Sequence, residues 1–84
     1  MLSQNYPNPF NPTTNIELRI ANCEFVSLKI FDLLGREVTT LVNETRQPGI
    51  YTARWDASSM PSGVYVYRLR AGSFVSTKQM VLLK

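Results

Sequence analysis

Apolar and polar residues alternate with a period of two along most of the chain. The alternation is strict over residues 16–20, and over residues 25–31 it places Val26, Leu28 and Ile30 on one face. Successive side chains of a β-strand point to opposite faces of a sheet, so this pattern predicts half-buried strands. No window shows the 3.6-residue period that is typical of an amphipathic helix.

Turn-forming residues interrupt the alternation at intervals of roughly 8–14 residues. Asp32 and Gly35 predict one turn, because the carboxylate can accept backbone hydrogen bonds and glycine tolerates a positive φ. Pro48 and Gly49 predict a second turn, and residues 56–63 form a loop rich in strand breakers. These signals predict an all-β fold, an antiparallel β-sandwich of six to seven strands. The seventh strand would arise if the strand after Gly35 were split or if the N-terminal segment paired along an edge.

The inward positions of these strands predict the hydrophobic core. Trp55 is its predicted centre, because a side chain of this size needs contacts from both sheets. The other predicted core residues are the apolar ones on the inner faces of the neighbouring strands: Val26, Leu28, Ile30, Tyr51, Tyr65, Tyr67 and Leu69.

The N-terminal segment departs from the alternating pattern. Residues 4–14 read QNYPNPFNPTT, in which prolines alternate with asparagines. Proline restricts itself and the preceding residue to extended backbone, so the segment is stiff without forming a strand. We therefore divide the chain into a boundary segment, residues 1–14, and a β-sandwich domain, residues 15–84.

The two aromatic residues of the boundary segment predict how it is held. Tyr6 and Phe10 stand beside Pro7 and Pro9, and we expect the four residues to dock on an open edge of the sandwich. Docking there would hide backbone groups that otherwise invite aggregation. A purely structural N-terminal cap is the alternative interpretation.

Composition and charge exclude several classes of function. The chain has 84 residues, and its net charge of +3 comes from nine basic and six acidic residues that are interspersed. Since no Lys/Arg cluster is present, nucleic acid is not expected as a partner. Arg54, Arg68 and Arg70 would form a basic stripe if their strands were neighbours, although a solvated sheet face is the favoured interpretation. No apolar run approaches the roughly 20 residues of a transmembrane helix, and Met1-Leu2-Ser3 shows no export signal.

Catalytic and metal-binding chemistry is not predicted. The chain has no histidine and one cysteine, Cys23, so the commonest general base and metal ligand is absent and a thiolate cluster cannot form. Cys23 is expected to be a semi-buried free thiol. The six carboxylates are scattered, and Asp32 and Asp56 are expected to cap turns. We predict no catalytic residue, no metal, no cofactor and no enzymatic activity.

Five motifs occur in a fixed order along the chain. They are residues 5–12 (NYPNPFNP), residues 26–38 (VSLKIFDLLGREV), Trp55-Asp56, residues 61–69 (PSGVYVYRL), and Lys78 with Lys84. From Gln4 to Lys84 the chain resembles the type A C-terminal sorting domain of the type IX secretion system, found in Bacteroidetes and related phyla. More loosely, it resembles the Ig-like domain of the flagellar hook-capping protein, so the sandwich is expected to be Ig-like.

This resemblance implies that the chain is an address label at the C-terminus of an exported cargo protein. The cargo is expected to enter the periplasm by its own signal, and an outer-membrane type IX translocon then recognises the folded label. A sortase-like peptidase commonly removes the label and leaves the cargo at the outer-membrane surface or in the extracellular space. The proline segment would then be the boundary strip between the cargo and the label.

The resemblance also implies which residues the translocon reads. Pro61, Gly63 and Tyr65 carry over from the late motif, and Lys78 and Lys84 carry over from the terminal one. The alternative function is a structural or adhesive Ig-like module that mediates protein–protein assembly at the cell surface, with self-association through sheet edges. The two functions predict different positions of this domain in its parent chain, because a sorting label must end the chain and an adhesive module can be internal.

Overall fold

The computed structural model describes residues 1–84, which form six antiparallel β-strands and no helix. The strands are β1 (Thr13–Ile20), β2 (Glu24–Phe31), β3 (Glu37–Arg46), β4 (Gly49–Asp56), β5 (Gly63–Ala71) and β6 (Phe74–Leu82). One sheet pairs β1 with β4, and the other has the order β3-β2-β5-β6. The predicted all-β sandwich is therefore confirmed, with six strands.

The core lies between the two sheets. Trp55 is buried at its centre, with its ring 5.8 Å from the ring of Phe10 and 5.3 Å from that of Tyr65. Leu28 and Tyr67 are fully buried, whereas Tyr51 is only half-buried and packs at the margin. The core also contains apolar residues beyond the predicted set: Leu2, Ile16, Leu18, Ile20, Val42, Met80 and Leu82.

Residues 1–12, here called the strip, close one edge of the sandwich. The strip first pairs with β1, where Tyr6 and Asn15 exchange two backbone hydrogen bonds of 2.9 Å. It then crosses to β6, where the Phe10 N–H donates to the Val81 carbonyl at 2.9 Å and the Leu83 N–H donates to the Phe10 carbonyl at 3.0 Å. The strip thereby connects the two sheets and covers backbone groups on both.

The side chains of the strip differ from one another in burial. Phe10 is 2% exposed and belongs to the core, whereas the Tyr6 side chain is 79% exposed and does not dock as expected. The reason is its register: directly paired residues of an antiparallel ladder point to the same side, and Tyr6 pairs with the exposed Asn15. Pro7 and Pro9 are also exposed, so the strip docks through its backbone and through Phe10.

Buried polar groups fix the strip where it crosses the core. Asn5 is 2% exposed, and its side-chain amide donates to the Thr14 hydroxyl at 3.0 Å and to the Pro7 carbonyl at 3.1 Å. The Tyr67 hydroxyl accepts the Asn5 N–H at 2.8 Å and donates to the Ser3 carbonyl at 2.8 Å. Because buried polar groups are stable only when hydrogen-bonded, these contacts specify a single path for the strip.

The first and last residues of the chain lie at opposite ends of the sandwich. The Arg19 N–H donates to the Met1 carbonyl at 2.8 Å, and Met1 shares a surface cleft with Gly72 in the turn between β5 and β6. The Lys84 N–H, in contrast, donates to the Ser62 hydroxyl at 3.0 Å. We call the end that holds Met1 the proximal end and the end that holds Lys84 the distal end.

Candidate recognition site

The distal end brings the last residue of the chain against the loop before β5. Beside its backbone contact with Ser62, Lys84 donates a hydrogen bond from its ammonium group to the Ser58 carbonyl at 2.5 Å. Lys84 and Ser62 are both exposed. The chain end is thus held in one place while its charge stays in contact with solvent.

Tyr65 anchors this loop from the core. Its hydroxyl donates to the Pro61 carbonyl at 2.6 Å, and its ring packs edge-on against Trp55. Burial raises the pKa of Tyr65, and the negative charge of Asp32 raises it further. Gly63 follows Pro61 with a φ of +153°, a conformation that L residues rarely adopt. The loop is therefore tied to the core through Tyr65, and its backbone conformation favours glycine at position 63.

Asp56 caps the start of the same loop. Its carboxylate accepts the Ser58 N–H at 3.0 Å. Hydrogen bonds from the Ser58 backbone and hydroxyl lower the pKa of Asp56, and the charges of Arg54 and Lys84 lower it further. The predicted capping role is confirmed, and it places an anionic group near the Lys84 ammonium.

The turn between β2 and β3 forms a second exposed feature of the distal end. The Asp32 carboxylate accepts the N–H groups of Leu34 at 2.9 Å and Arg36 at 3.0 Å, and the Arg36 Nε donates to it at 2.8 Å. The hydrogen bond from the Arg36 backbone is the main cause of the lowered pKa of Asp32. This capping, which was predicted, presents Leu33 and Leu34 to solvent at 67% and 78% exposure.

The sequence pattern predicted a turn at Leu33 and Leu34 and nothing further for these two residues. Their residue type was itself a signal, because the centre of a turn normally holds polar residues, glycine or proline. Two adjacent leucines there are unusual, and no structural requirement of the turn explains them.

The strip contributes to the distal end through the edge of β6. The Gln4 side-chain amide donates to the Gln79 carbonyl at 2.7 Å, and the Val81 N–H donates to the Asn8 side-chain oxygen at 3.1 Å. With the two backbone bonds of Phe10, these contacts occupy the outer edge of β6 from Gln79 to Leu83. Gln4 and Asn8 were not singled out in the sequence, because only the long-range pairing shows what they bind.

The structure brings together four of the five residues assigned to translocon recognition. Pro61, Gly63, Tyr65 and Lys84 all lie at the distal end. Lys78 is half-buried in the middle of β6, opposite Tyr67. At about 3.4 Å per residue, Lys78 stands roughly 20 Å along the chain from Lys84, so the two lysines do not form one site.

The remaining charged and reactive groups form no further cluster. Arg54 lies on β4, in a different sheet from Arg68 and Arg70, so the three arginines do not form one stripe. Cys23 is exposed and not semi-buried, because it stands in the bend between β1 and β2. No group of three acidic, histidine or cysteine side chains could hold a metal ion. None of the elements is a helix with the length and hydrophobicity needed to span a membrane.

Comparison with known families gives evidence about function that the geometry alone cannot give. Residues 4–83 match the family model described as the secretion system C-terminal sorting domain. The match includes residues 4–12 of the strip, all six strands and the loop before β5. Comparison with curated proteins gives no match.

Proposed function

The chain belongs to the secretion system C-terminal sorting domain family, and we propose that the type IX translocon recognises it at the distal end of the sandwich. Membership makes the chain a sorting signal of type IX secretion, attached to a cargo that is exported to the outer-membrane surface or the extracellular space. The family is one of sorting signals and not of enzymes.

This proposal rests on one observation, that the first and last residues of the chain lie at opposite ends of the sandwich. In a C-terminal domain the cargo precedes the first residue, so the cargo stands next to the proximal end. The eight-residue strand β2 runs from Glu24 at that end to Phe31 at the distal end, a span of about 24 Å. A translocon that must accept many cargoes can therefore contact the distal end without contacting the cargo.

The distal end also has the chemistry of a recognition surface. Lys84 offers an ammonium group beside the rigid turn of Pro61 and Gly63, and Tyr65 holds that turn in place. Charged chain ends and adjacent backbone donors are recurrent recognition features in peptide-binding proteins. Lys78, which lies outside this cluster, is proposed as a separate contact along β6.

The proposal also covers the steps before and after recognition of the label. We place recognition after transit through the periplasm, followed by removal of the label by a sortase-like peptidase and by surface anchoring or release of the cargo. Proteases cleave exposed chain that is not hydrogen-bonded. Because the strip is paired with β1 and β6 from Met1 to Phe10, we place the cleavage point on the N-terminal side of this paired segment.

A reporter fused before residue 1, expressed in a host with a type IX system, tests the proposal. Adding a few residues after Lys84, or deleting Lys84, should block surface delivery of the reporter. The thermal unfolding of the purified label should stay unchanged, since Lys84 is exposed and outside the core. Thr52→Ala is the matched control, because Thr52 is exposed on β4 in the other sheet. Delivery of the extended fusion at the level of the unmodified one would contradict recognition at the distal end.

A further inference from the structure

The outer face of the larger sheet is more apolar than a solvated face should be. Along β5 the outward positions Val64, Val66 and Arg68 are half-buried, and the inward positions between them are buried. Strands with apolar residues on both faces are typical of sheets that are covered on both sides. Only one side of this sheet is covered, by the β1–β4 sheet.

The apolar part of this face forms a groove at the distal end. Its walls include Phe31 at the end of β2, Leu33 in the turn, Val66 and Arg68 on β5, and Thr77 on β6. The groove holds about 330 Å³ and is open to solvent. Phe31 and Val66 pair directly across β2 and β5, so they form a continuous apolar floor. A floor of this kind fits one apolar side chain.

One cation in the lining of the groove makes no ion pair. Asp32 is paired with Arg36 at 2.8 Å, and Glu37 is paired with Lys29 at 3.3 Å. Arg68 lies directly opposite Lys29, makes no ion pair, and has its guanidinium 4.7 Å from the centre of the Phe31 ring. Stacking on the ring holds the guanidinium at the groove with its N–H groups free for a ligand.

We propose that this groove binds an extended acidic segment of a protein partner. A carboxylate of the segment pairs with the Arg68 guanidinium, whose planar fork matches a carboxylate with two parallel hydrogen bonds. A neighbouring aliphatic side chain packs between Phe31, Leu33 and Val66. This inference concerns a surface other than Lys84 and the loop before β5, and it does not depend on the sorting role.

Charge complementarity favours an acidic protein segment over the other occupants. A second copy of the chain would have to offer a free carboxylate on an extended segment, and its side-chain carboxylates without an ion pair, Glu17, Glu24 and Asp56, all lie on paired strands. An anionic membrane would need several unpaired cations around the exposed leucines, but Arg36 is bound to Asp32 and Arg68 is a single cation in the lining of the groove.

Amide chemical shifts of the isotope-labelled domain test the proposal. The probe is a blocked hexapeptide of alternating glutamate and leucine, and its control is the same peptide with glutamine in place of glutamate. We expect saturable shifts at Phe31, Val66 and Thr77 with a Kd of about 1 mM or tighter for the acidic peptide. The shifts should weaken as the salt concentration rises.

Two pairs of matched variants assign the contacts. Arg68→Gln should weaken binding about tenfold, as expected for the loss of a charge-assisted hydrogen-bonded pair, whereas Arg70→Gln, two residues along the same face, should change it less than about twofold. Leu33→Ser should weaken binding, and Leu34→Ser should not, because Leu34 does not line the groove. Both leucines are exposed in the same turn, so the two substitutions should affect the stability of the domain equally. A difference in binding between the two variants then reports contact with the peptide.

Four outcomes would overturn the proposal. They are equal binding of the glutamine peptide, equal loss in both members of a variant pair, and the absence of saturable shifts up to about 5 mM peptide. The fourth is perturbation of the same amides by vesicles of phosphatidylglycerol or by dimerisation of the domain alone, with no effect of the acidic peptide. None of these results bears on export of the reporter, so the groove and the sorting role are tested separately.

Discussion

Substitution of Phe10 tests whether the strip is part of the folded domain. Phe10 is 2% exposed, its ring packs against Trp55, and its backbone pairs with Val81 and Leu83. Phe10→Ala removes the buried ring and leaves a cavity, a combination that costs about 3–5 kcal/mol in protein cores. Domains have a total free energy of unfolding of about 5–15 kcal/mol. We therefore expect the variant to lose about a fifth of its stability or more.

The matched control for this substitution is Tyr6→Ala. Tyr6 belongs to the same strip and is of similar size, but its side chain is 79% exposed, so the change should stay within about 0.5 kcal/mol. Urea unfolding followed by Trp55 fluorescence measures the free energy of unfolding of both variants. Thermal unfolding followed by far-ultraviolet circular dichroism measures their melting temperatures. For Phe10→Ala we expect the melting temperature to fall by about 15–30 °C, given roughly 4–8 °C per kcal/mol in a domain of this size.

Equal effects of the two substitutions would refute this account of the strip. If Phe10→Ala were as stable as the parent domain, the ring would not be part of the core and the strip would be a linker. If Tyr6→Ala were as damaging as Phe10→Ala, the register that points Tyr6 into solvent would be wrong.

Three further predictions concern the strip, a buried hydroxyl and the loop before β5. Deletion of residues 1–12 should lower the melting temperature and cause concentration-dependent association, measured by sedimentation, because it uncovers the edges of β1 and β6. Burial raises the pKa of Tyr67 from 10.0 to about 12. The free energy of unfolding should therefore be unaffected by the Tyr67 hydroxyl below pH 10 and should fall between pH 10 and 12. The variant Tyr67→Phe should lose this part of the pH dependence of stability and keep the rest. Gly63→Ala should destabilise the domain by about 1 kcal/mol or more in urea unfolding through backbone strain alone, since the added Cβ meets no atom within 4 Å; unchanged stability would show that the φ of +153° is not required.

Local patterns in the sequence were enough to predict the strands. Alternation placed the inward faces of β2 and β5 correctly, because a half-buried sheet imposes a period of two on any sequence that forms it. The turn of Asp32 and Gly35 was also predictable, since a capping carboxylate and a positive φ depend on residues within five positions of each other.

The path of the strip could not be predicted in the same way. Tyr6 and Phe10 are both aromatic and both follow the same proline-rich pattern, yet one is exposed and the other is buried. The difference depends on which residue each one pairs with, Asn15 in β1 for Tyr6 and Leu82 in β6 for Phe10. Such pairings are decided by tertiary packing and not by local propensity.

The distal end was only partly predictable for a related reason. The resemblance to the family supplied Pro61, Gly63, Tyr65 and Lys84, and the structure places them together. It also supplied Lys78, which the register of β6 keeps in the middle of the strand. A motif gives the order of residues along the chain, whereas a shared site depends on where strands begin and end.

The strip joins the segment nearest the cargo to the segment farthest from it. Terminal strands fray unless other elements hold them, and β6 is held on one side by β5 and on the other by Gln4, Asn8 and Phe10. The geometry of Lys84 therefore depends on residues more than seventy positions earlier in the chain. We therefore expect the distal end to be ordered only when the first dozen residues are in place. Since the hydrogen bonds of the strip are made within the domain, that order requires no contact with the cargo. The same fold can therefore present the same distal end behind cargoes of unrelated structure.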